Sequence, residues 1–206
     1  MNALGPRLAG LYVILGHAGA LGRLEACLDA GVRLFQYRGK AEATLETARA
    51  LVERCRAAGA LLIVNDDLGL ALAAGAHGLH LGQEDAERLD MAEVRRRLGS
   101  AVLGLSTHDG DQARRAAALG ASYVGAGCTF PTQSKKYVVE IGLEGLRRIV
   151  EASPVPVAAI GGINVENVAA VRRAGAAMAA VIGAVGHAGD TRAAALRLVD
   201  AWNGRA

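Results

Sequence analysis

Residues 43–67 read ATLETARALVERCRAAGALLIVNDD and contain one complete helix–glycine–strand unit. Ala43–Ala58 places apolar side chains along one stripe and charged side chains elsewhere, which predicts an amphipathic helix. Gly59 then stands where the end of a helix needs a residue in the left-handed conformation. The apolar run Leu61–Val64 predicts a buried strand, and three polar residues, Asn65–Asp67, follow at its end.

The same unit recurs along the chain. A small or apolar residue followed by glycine ends each helical stretch, at Ala30-Gly31, Ala58-Gly59, Ala74-Gly75, Leu98-Gly99, Leu119-Gly120 and Ala174-Gly175. The apolar runs after these glycines, together with Leu11–Leu15 and Val157–Ile160, give eight predicted strands. Apolar strands that alternate with seven or eight helices indicate a parallel sheet covered by helices. Eight units favour an α/β fold of the closed (β/α)8 type, a TIM barrel that forms a single compact domain over residues 1–206.

The bulk composition narrows the classes of partner. No apolar stretch approaches the roughly 18 residues of a membrane-spanning helix, and the first residues do not resemble a signal peptide, so we expect a cytoplasmic protein with no membrane partner. The net charge is +3, the basic residues are scattered and aromatic residues make up only 3% of the chain, which argues against a nucleic-acid surface. Three widely spaced cysteines, Cys27, Cys55 and Cys128, are interpreted as buried free thiols. Small anionic molecules are the favoured partners, and homo-oligomerisation is left open.

Polar residues cluster after the predicted strands, where a (β/α)8 barrel carries its active site. Alternate residues of an extended segment point the same way, so Gln36, Arg38 and Lys40 are expected to converge on one ligand. The planar fork of arginine and the point charge of lysine suit a diphosphate. Asp66 and Asp85 follow neighbouring strands, and Mg²⁺ is typically held by one or two carboxylates together with water and substrate phosphate. The alternative is a set of salt bridges between these acids and the two cations.

A second phosphate site is predicted after the seventh and eighth strands. Gly161-Gly162, before a helix that opens at Asn164 or Val165, would expose backbone N–H groups, and Ile182-Gly183 would supply the other half. A tight structural turn is the alternative reading of the glycine pair. The long segment Cys128–Glu140 is typical of a lid, although its Lys135 could equally be solvated.

One histidine interrupts an apolar strand. His80 lies within the fourth strand, where we expect a hydrogen-bonded interior side chain rather than a catalyst.

Seven motifs, taken in order, resemble the thiamine-phosphate synthase family. They are QYRGK, VNDD, HLGQED, GLSTH, FPTQSKK, AIGGI and VIGA, and together they span the second to the eighth strand. The resemblance implies a magnesium-dependent transferase that joins a hydroxymethylpyrimidine diphosphate to a thiazole phosphate and releases pyrophosphate. It implies a dissociative route, in which a pyrimidine-methyl cation is attacked by the thiazole nitrogen without a protein nucleophile.

The resemblance also assigns residues to the two substrates and the metal. The pyrimidine diphosphate would be held by Gln36, Tyr37, Arg38, Gly39, Lys40, Asn65, Ser106 and Lys135. The thiazole phosphate would be held by Thr132, Gln133, Ser134, Gly162, Ile182 and Gly183. Asp66 and Asp85 would bind Mg²⁺, and Arg38, Lys40 and Lys135 would stabilise the departing charge.

The sequence departs from the family pattern at a few positions and leaves two alternatives. Gly183 stands where the family usually has serine, and the first strand ends in Leu15-Gly16-His17 instead of Thr-Asp. One alternative is a thiazole tautomerase on the same barrel, which would not require the diphosphate and metal residues. The other is a catalytically weak protein that binds thiazole phosphate or thiamine phosphate.

Overall fold

A computed structural model describes residues 8–132 and 140–205, which form a closed barrel of eight parallel strands. The strands are β1 (Gly10–Leu15), β2 (Leu34–Tyr37), β3 (Leu61–Asn65), β4 (Gly78–Leu81), β5 (Val102–Thr107), β6 (Tyr123–Gly127), β7 (Val157–Ile160) and β8 (Met178–Val181). Each strand pairs with its neighbours in chain order, and β8 closes on β1 through the register Leu11 to Ala179. The predicted (β/α)8 barrel is therefore confirmed.

The helices follow the strands on the outside of the barrel. They are α1 (Ala20–Asp29), α2 (Leu45–Ala57), α3 (Leu68–Ala74), α4 (Gln83–Arg88), α5 (Met91–Leu98), α6 (Gly110–Ala118), α7 (Gly142–Ala152), α8 (Val168–Arg173), α9 (Gly183–Gly186) and α10 (Thr191–Asn203). A short 3-10 turn, Lys40–Glu42, precedes α2. The described residues hold more helices than the expected seven or eight, because β4 and β8 are each followed by two.

Side-chain caps set several helix starts. Thr44 accepts a hydrogen bond from the backbone N–H of Thr47, so α2 begins at Leu45 and not at Ala43. Asp67 does the same for Leu70 at 2.8 Å, which makes this acid the N-cap of α3. The helix after β7 begins at Val168 and not at Asn164 or Val165.

The side chains of the barrel strands divide into two apolar layers, as the two-residue period of a strand requires. Outward-facing strand residues pack against the helices, and this layer also holds Cys27 of α1 and Cys55 of α2. Both are buried free thiols as predicted, as is Cys128. Inward-facing residues, such as Tyr12, Leu34, Ile63 and Tyr123, fill the lower part of the barrel. No helix of the described residues is long and apolar enough to cross a membrane.

Candidate active site

A cavity of about 680 Å³ opens at the carboxyl ends of the strands. Its walls come from residues on or just after all eight strands, from Ile14 on β1 to Val181 on β8. Its floor is formed by polar groups inside the barrel, among them Tyr12, His80 and Tyr123. The volume lies in the range of a typical small-molecule site, and the position is the one at which (β/α)8 barrels carry their chemistry.

The segment after β2 supplies two residues to the cavity, not three. Gln36 and Arg38 line it, whereas Lys40 is exposed and lies outside the lining. Lys40 therefore does not share the lining with Gln36 and Arg38, and its contact with a ligand stays a prediction. The alternation holds only while the chain is extended, and here β2 ends at Tyr37 and the backbone turns at Lys40, with φ of 52°.

Tyr37 and Gly39 face away from the cavity. The Tyr37 hydroxyl lies 2.7 Å from Nδ1 of His17, and Tyr37 packs in the layer between barrel and helices. A Cβ added to Gly39 would lie 2.8 Å from Cα of Ala43, so glycine is required for the close approach of the turn. These two residues shape the loop that holds Arg38.

Asp66 and Asp85 meet at the rim of the cavity. Asp66 follows β3 in a left-handed conformation, with φ of 62°, and its Oδ1 accepts a hydrogen bond from the backbone N–H of Gly82 at 3.4 Å. Asn65 donates a side-chain hydrogen bond to Oδ2 of the same carboxylate. Asp85 lies in the first turn of α4, which Gly82 caps. Both carboxylates and Asn65 line the cavity.

The electrostatics of this pair favour a cation. Loss of solvation and then the charge of Asp85 raise the pKa of the Asp66 carboxyl, although its hydrogen bonds and Arg38 act in the opposite direction. Among the ion pairs of residues 8–132 and 140–205, none joins Asp66 or Asp85 to Arg38 or Lys40, so the salt-bridge alternative is not formed there. Two oxygen donors that repel each other are a donor set that Mg²⁺ fits.

The described residues contain no group of three or more His, Cys, Asp or Glu side chains that could enclose a metal ion. A cation at Asp66 and Asp85 would therefore need oxygen ligands from water and from a substrate. Glu84, which precedes Asp85, is exposed and pairs with Arg88 at 3.5 Å. Glu84 also lines the cavity, but its carboxylate is already paired with Arg88.

The opposite side of the cavity is built from backbone. Gly161 and Gly162 have φ of 105° and 60°, and a Cβ on Gly162 would lie 2.8 Å from Cβ of Phe130. Gly162 is held by its carbonyl, which accepts a hydrogen bond from the Asn167 amide at 3.0 Å. Ile182 and Gly183, just beyond β8, line the same side of the cavity. The two glycine segments that the sequence predicted as a phosphate site thus come together.

Thr132 also lines the cavity on this side. The remaining predicted residues of that segment, Gln133, Ser134 and Lys135, lie outside the described residues, so their assignment stays a prediction.

Sequence reasoning missed two tyrosines in the floor of the cavity. Tyr12 lies within β1 and Tyr123 is the first residue of β6, and their hydroxyls are 2.8 Å apart across the barrel. Tyr123 also lies 2.9 Å from Nδ1 of His80, whose Nε2 is 3.0 Å from the Ser106 hydroxyl. The prediction that His80 is a hydrogen-bonded interior side chain is confirmed. The only signal for the tyrosines was a hydroxyl-bearing aromatic at an inward position of β1 and of β6.

The environment keeps His80 neutral. Burial, and to a smaller extent the charge of Arg38, lower the pKa of His80 to about 4. The imidazole therefore carries one N–H group at neutral pH and uses its other nitrogen as an acceptor.

Comparison with known proteins identifies the family of the chain. The family described as thiamine monophosphate synthase matches residues 11–185. The thiamine-phosphate synthase of Anaeromyxobacter dehalogenans is 46% identical over 97% of this chain and 91% of its own length. That of Thioalkalivibrio sulfidiphilus is 43% identical over 96% and 97%, respectively.

A solved structure has the same fold along its whole length. The thiamine phosphate pyrophosphorylase of Pyrococcus furiosus superposes with a TM-score of 0.86 and 34% identity, covering 97% of this chain and 98% of the other. The shared sequence and the shared barrel lead to one assignment. The chain belongs to the thiamine monophosphate synthase family.

Proposed function

We propose that the chain joins a 4-amino-2-methylpyrimidine diphosphate to a thiazole phosphate, giving thiamine phosphate and pyrophosphate with the help of Mg²⁺. The observation that carries the proposal is the composition of one cavity. Arg38 and the pair Asp66 and Asp85 lie on one side of it, and the glycine backbone of Gly162 and Gly183 lies on the other. A diphosphate and a monophosphate can thus bind at opposite sides of one barrel mouth.

Asp66 and Asp85 would hold the magnesium ion. Bound there, the ion would neutralise charge on the diphosphate and so make pyrophosphate a better leaving group. The raised pKa of Asp66 supports this assignment, because loss of solvation and then repulsion from Asp85 disfavour the ionised carboxylate. Cation binding would relieve that repulsion.

The protein's own groups bind, orient and exclude water. Arg38 offers several N–H donors to the diphosphate oxygens, and Asn65 holds the Asp66 carboxylate in place. The expected roles of Lys40 and Lys135 in charge stabilisation rest on the sequence, since Lys40 is exposed beside the cavity and Lys135 lies outside the described residues.

The bond changes need no protein nucleophile. The methylene carbon loses its bond to the diphosphate oxygen, which takes both electrons, and the lone pair of the thiazole nitrogen forms the new C–N bond. The three cysteines agree with this scheme: Cys27 and Cys55 lie behind the barrel wall, and burial raises the pKa of each thiol to about 12. Cys128 lines the cavity, but its Sγ donates to the carbonyl of Phe130 at 2.8 Å, and burial raises its pKa too.

Product analysis tests the proposal. The chain should convert the two substrates to equal amounts of thiamine phosphate and pyrophosphate, and omission of either substrate should abolish both products. A tautomerase would instead isomerise the thiazole phosphate alone, and a binding protein would yield no product. Either of those outcomes would overturn the proposal. Cytoplasmic location and homo-oligomeric assembly stay predictions from the sequence.

A further inference from the structure

Five polar side chains form a continuous hydrogen-bonded chain across the barrel interior. Gln36 donates from Nε2 to the Tyr12 hydroxyl at 2.8 Å, and Tyr12 and Tyr123 join their hydroxyls at 2.8 Å. Tyr123 lies 2.9 Å from Nδ1 of His80, and Nε2 of His80 lies 3.0 Å from Oγ of Ser106. Both ends of the chain, Gln36 and Ser106, line the cavity. We call this set the interior relay.

The relay has a direction, because each of its hydroxyls has one proton to donate. With Nε2 of Gln36 donating to Tyr12, the Tyr12 proton goes to Tyr123 and the Tyr123 proton goes to Nδ1 of His80. His80 must then carry its proton on Nε2 and donate it to Ser106. Each of the four hydrogen bonds of the relay then has one donor and one acceptor.

The opposite direction of the relay requires a different orientation of the Gln36 amide. If Ser106 donated to His80 and each bond reversed in turn, Tyr12 would direct its proton at Gln36. The Gln36 amide would then have to turn over and accept through Oε1, because otherwise the buried Tyr12 proton would have no acceptor. An unpaired buried donor of this kind costs about 1–3 kcal/mol. The orientation of Gln36 and the tautomer of His80 are therefore coupled through the two tyrosines.

We propose that the interior relay fixes which hydrogen-bonding groups the cavity offers to the pyrimidine, with Gln36 presenting an acceptor and Ser106 presenting a donor. The bonds of the relay use one N–H of the Gln36 amide and one lone pair of Ser106, which leaves Oε1 of Gln36 and the serine proton available to a ligand. This inference rests on the proposed function and deepens it. Tyr12, Tyr123 and His80 become positioning residues for substrate choice.

The pattern selects an amino group. An exocyclic amine donates hydrogen bonds and would bind to Oε1 of Gln36, whereas the carbonyl of a 4-oxopyrimidine accepts and would face the same oxygen. The Ser106 proton would serve an acceptor on the substrate. A site whose buried groups fit one pattern rejects the other, because the mismatched groups are left unpaired.

The His80 tautomer tests the relay without any activity measurement. Nitrogen-15 NMR of the protein labelled in its five histidines, with His80 assigned from a His80→Asn variant, reports which ring nitrogen carries the proton at neutral pH. The relay predicts a neutral ring protonated at Nε2 and unprotonated at Nδ1. A ring protonated at Nδ1 would refute the direction of the relay.

The preference for the amino substrate over the oxo substrate tests the consequence of the relay. Rates with the 4-amino and 4-oxo pyrimidine diphosphates are measured for the wild type, Tyr123→Phe and Tyr12→Phe. Removing either hydroxyl uncouples Gln36 from His80, so the preference for the amino substrate should fall about tenfold or more, the factor that corresponds to 1.4 kcal/mol. Ser153→Ala is the control for loss of a hydroxyl, because the Ser153 hydroxyl donates to the Val155 carbonyl at 2.7 Å and does not line the cavity, and its preference should equal that of the wild type.

The outcomes separate the two proposals. A wild type that forms no product from the amino substrate would overturn the proposed function, whereas the tautomer of His80 would still report on the relay. An active wild type whose preference is unchanged in both relay variants would overturn the relay inference and leave the function standing. If Tyr123→Phe fails to fold, Tyr12→Phe and the NMR measurement carry the test.

Discussion

Gly104 on β5 provides the sharpest structural prediction, because its missing side chain makes room for the interior relay. A Cβ at this position would lie 2.5 Å from Nδ1 of His80 and closer still to Cζ and Oη of Tyr123. Ordinary van der Waals contact begins near 3.4 Å, so the Tyr123 ring would have to retreat by about 1 Å. Gly104→Ala should therefore displace both side chains from their hydrogen bonds.

The cost follows from two contributions. Overpacking a well-packed core typically costs about 1–3 kcal/mol. Loss of the Tyr12–Tyr123 and Tyr123–His80 hydrogen bonds adds about 1 kcal/mol each. The sum, about 3–5 kcal/mol, is a large part of the roughly 5–15 kcal/mol that stabilises a domain, and it should lower Tm by about 6–20 °C.

Urea denaturation, followed by circular dichroism, measures this cost. Gly125→Ala on β6 is the matched control, since its Cβ would lie 3.3 Å from Cε1 of His80 and needs only a small adjustment. The control should lose about 1 kcal/mol or less. If Gly104→Ala were as stable as Gly125→Ala and kept the wild-type preference for the amino substrate, the close packing of the relay would be refuted.

Three further substitutions test the rim of the cavity. Loss of solvation and then the charge of Asp85 raise the pKa of Asp66, so its ionised form destabilises the folded, metal-free protein. Asp66→Asn should therefore raise Tm at pH 7 without Mg²⁺, and the gain should vanish as the pH falls below the ordinary aspartate pKa. A lower Tm at pH 7 would contradict this net cost of the ionised Asp66. Gly183→Ser should fold, because a Cβ there lies 3.2 Å from Nδ1 of the exposed His187 ring, which can rotate away. One added hydrogen bond should lower KM for the thiazole phosphate about fivefold in steady-state assays. An unchanged KM would remove this position from the phosphate site. Arg38→Lys should raise KM for the pyrimidine diphosphate about tenfold or more, because lysine lacks the planar fork, and an unchanged KM would place the diphosphate elsewhere.

The barrel could be predicted from the sequence because its signals are local. Glycines that end helices and apolar runs such as Leu61–Val64 each depend on a few neighbouring residues. The ends of the strands were harder to predict from the sequence. β6 continues to Gly127, and β5 to Thr107, through small and polar residues that carry no apolar signal but pair with each other, as in Ser106 with Gly125.

The site could be predicted where chemistry and strand end coincide, as for Asp66 and Asp85. The position of Lys40 could not be predicted, because the side-chain alternation of a strand holds only as far as Tyr37, the last residue of β2. Lys40 lies in the turn beyond it, and only the packed loop defines that turn. The relay could not be foreseen, because Tyr12 and Tyr123 are 111 residues apart in sequence and meet only when the barrel closes. Contacts of that kind belong to the tertiary structure and leave no local pattern.

We propose that Asp66 and Asp85 hold the Mg²⁺ on which thiamine phosphate formation depends, and a magnesium titration of the initial rate tests this claim. The wild type is compared with Asp85→Asn and with Glu87→Gln, a charge-removing control on the exposed face of the same helix. We predict a rate that rises with Mg²⁺ and is lost in EDTA for the wild type and Glu87→Gln, with most activity absent from Asp85→Asn at every concentration. Equal rates with Mg²⁺ and in EDTA, or a fully active Asp85→Asn, would contradict the claim.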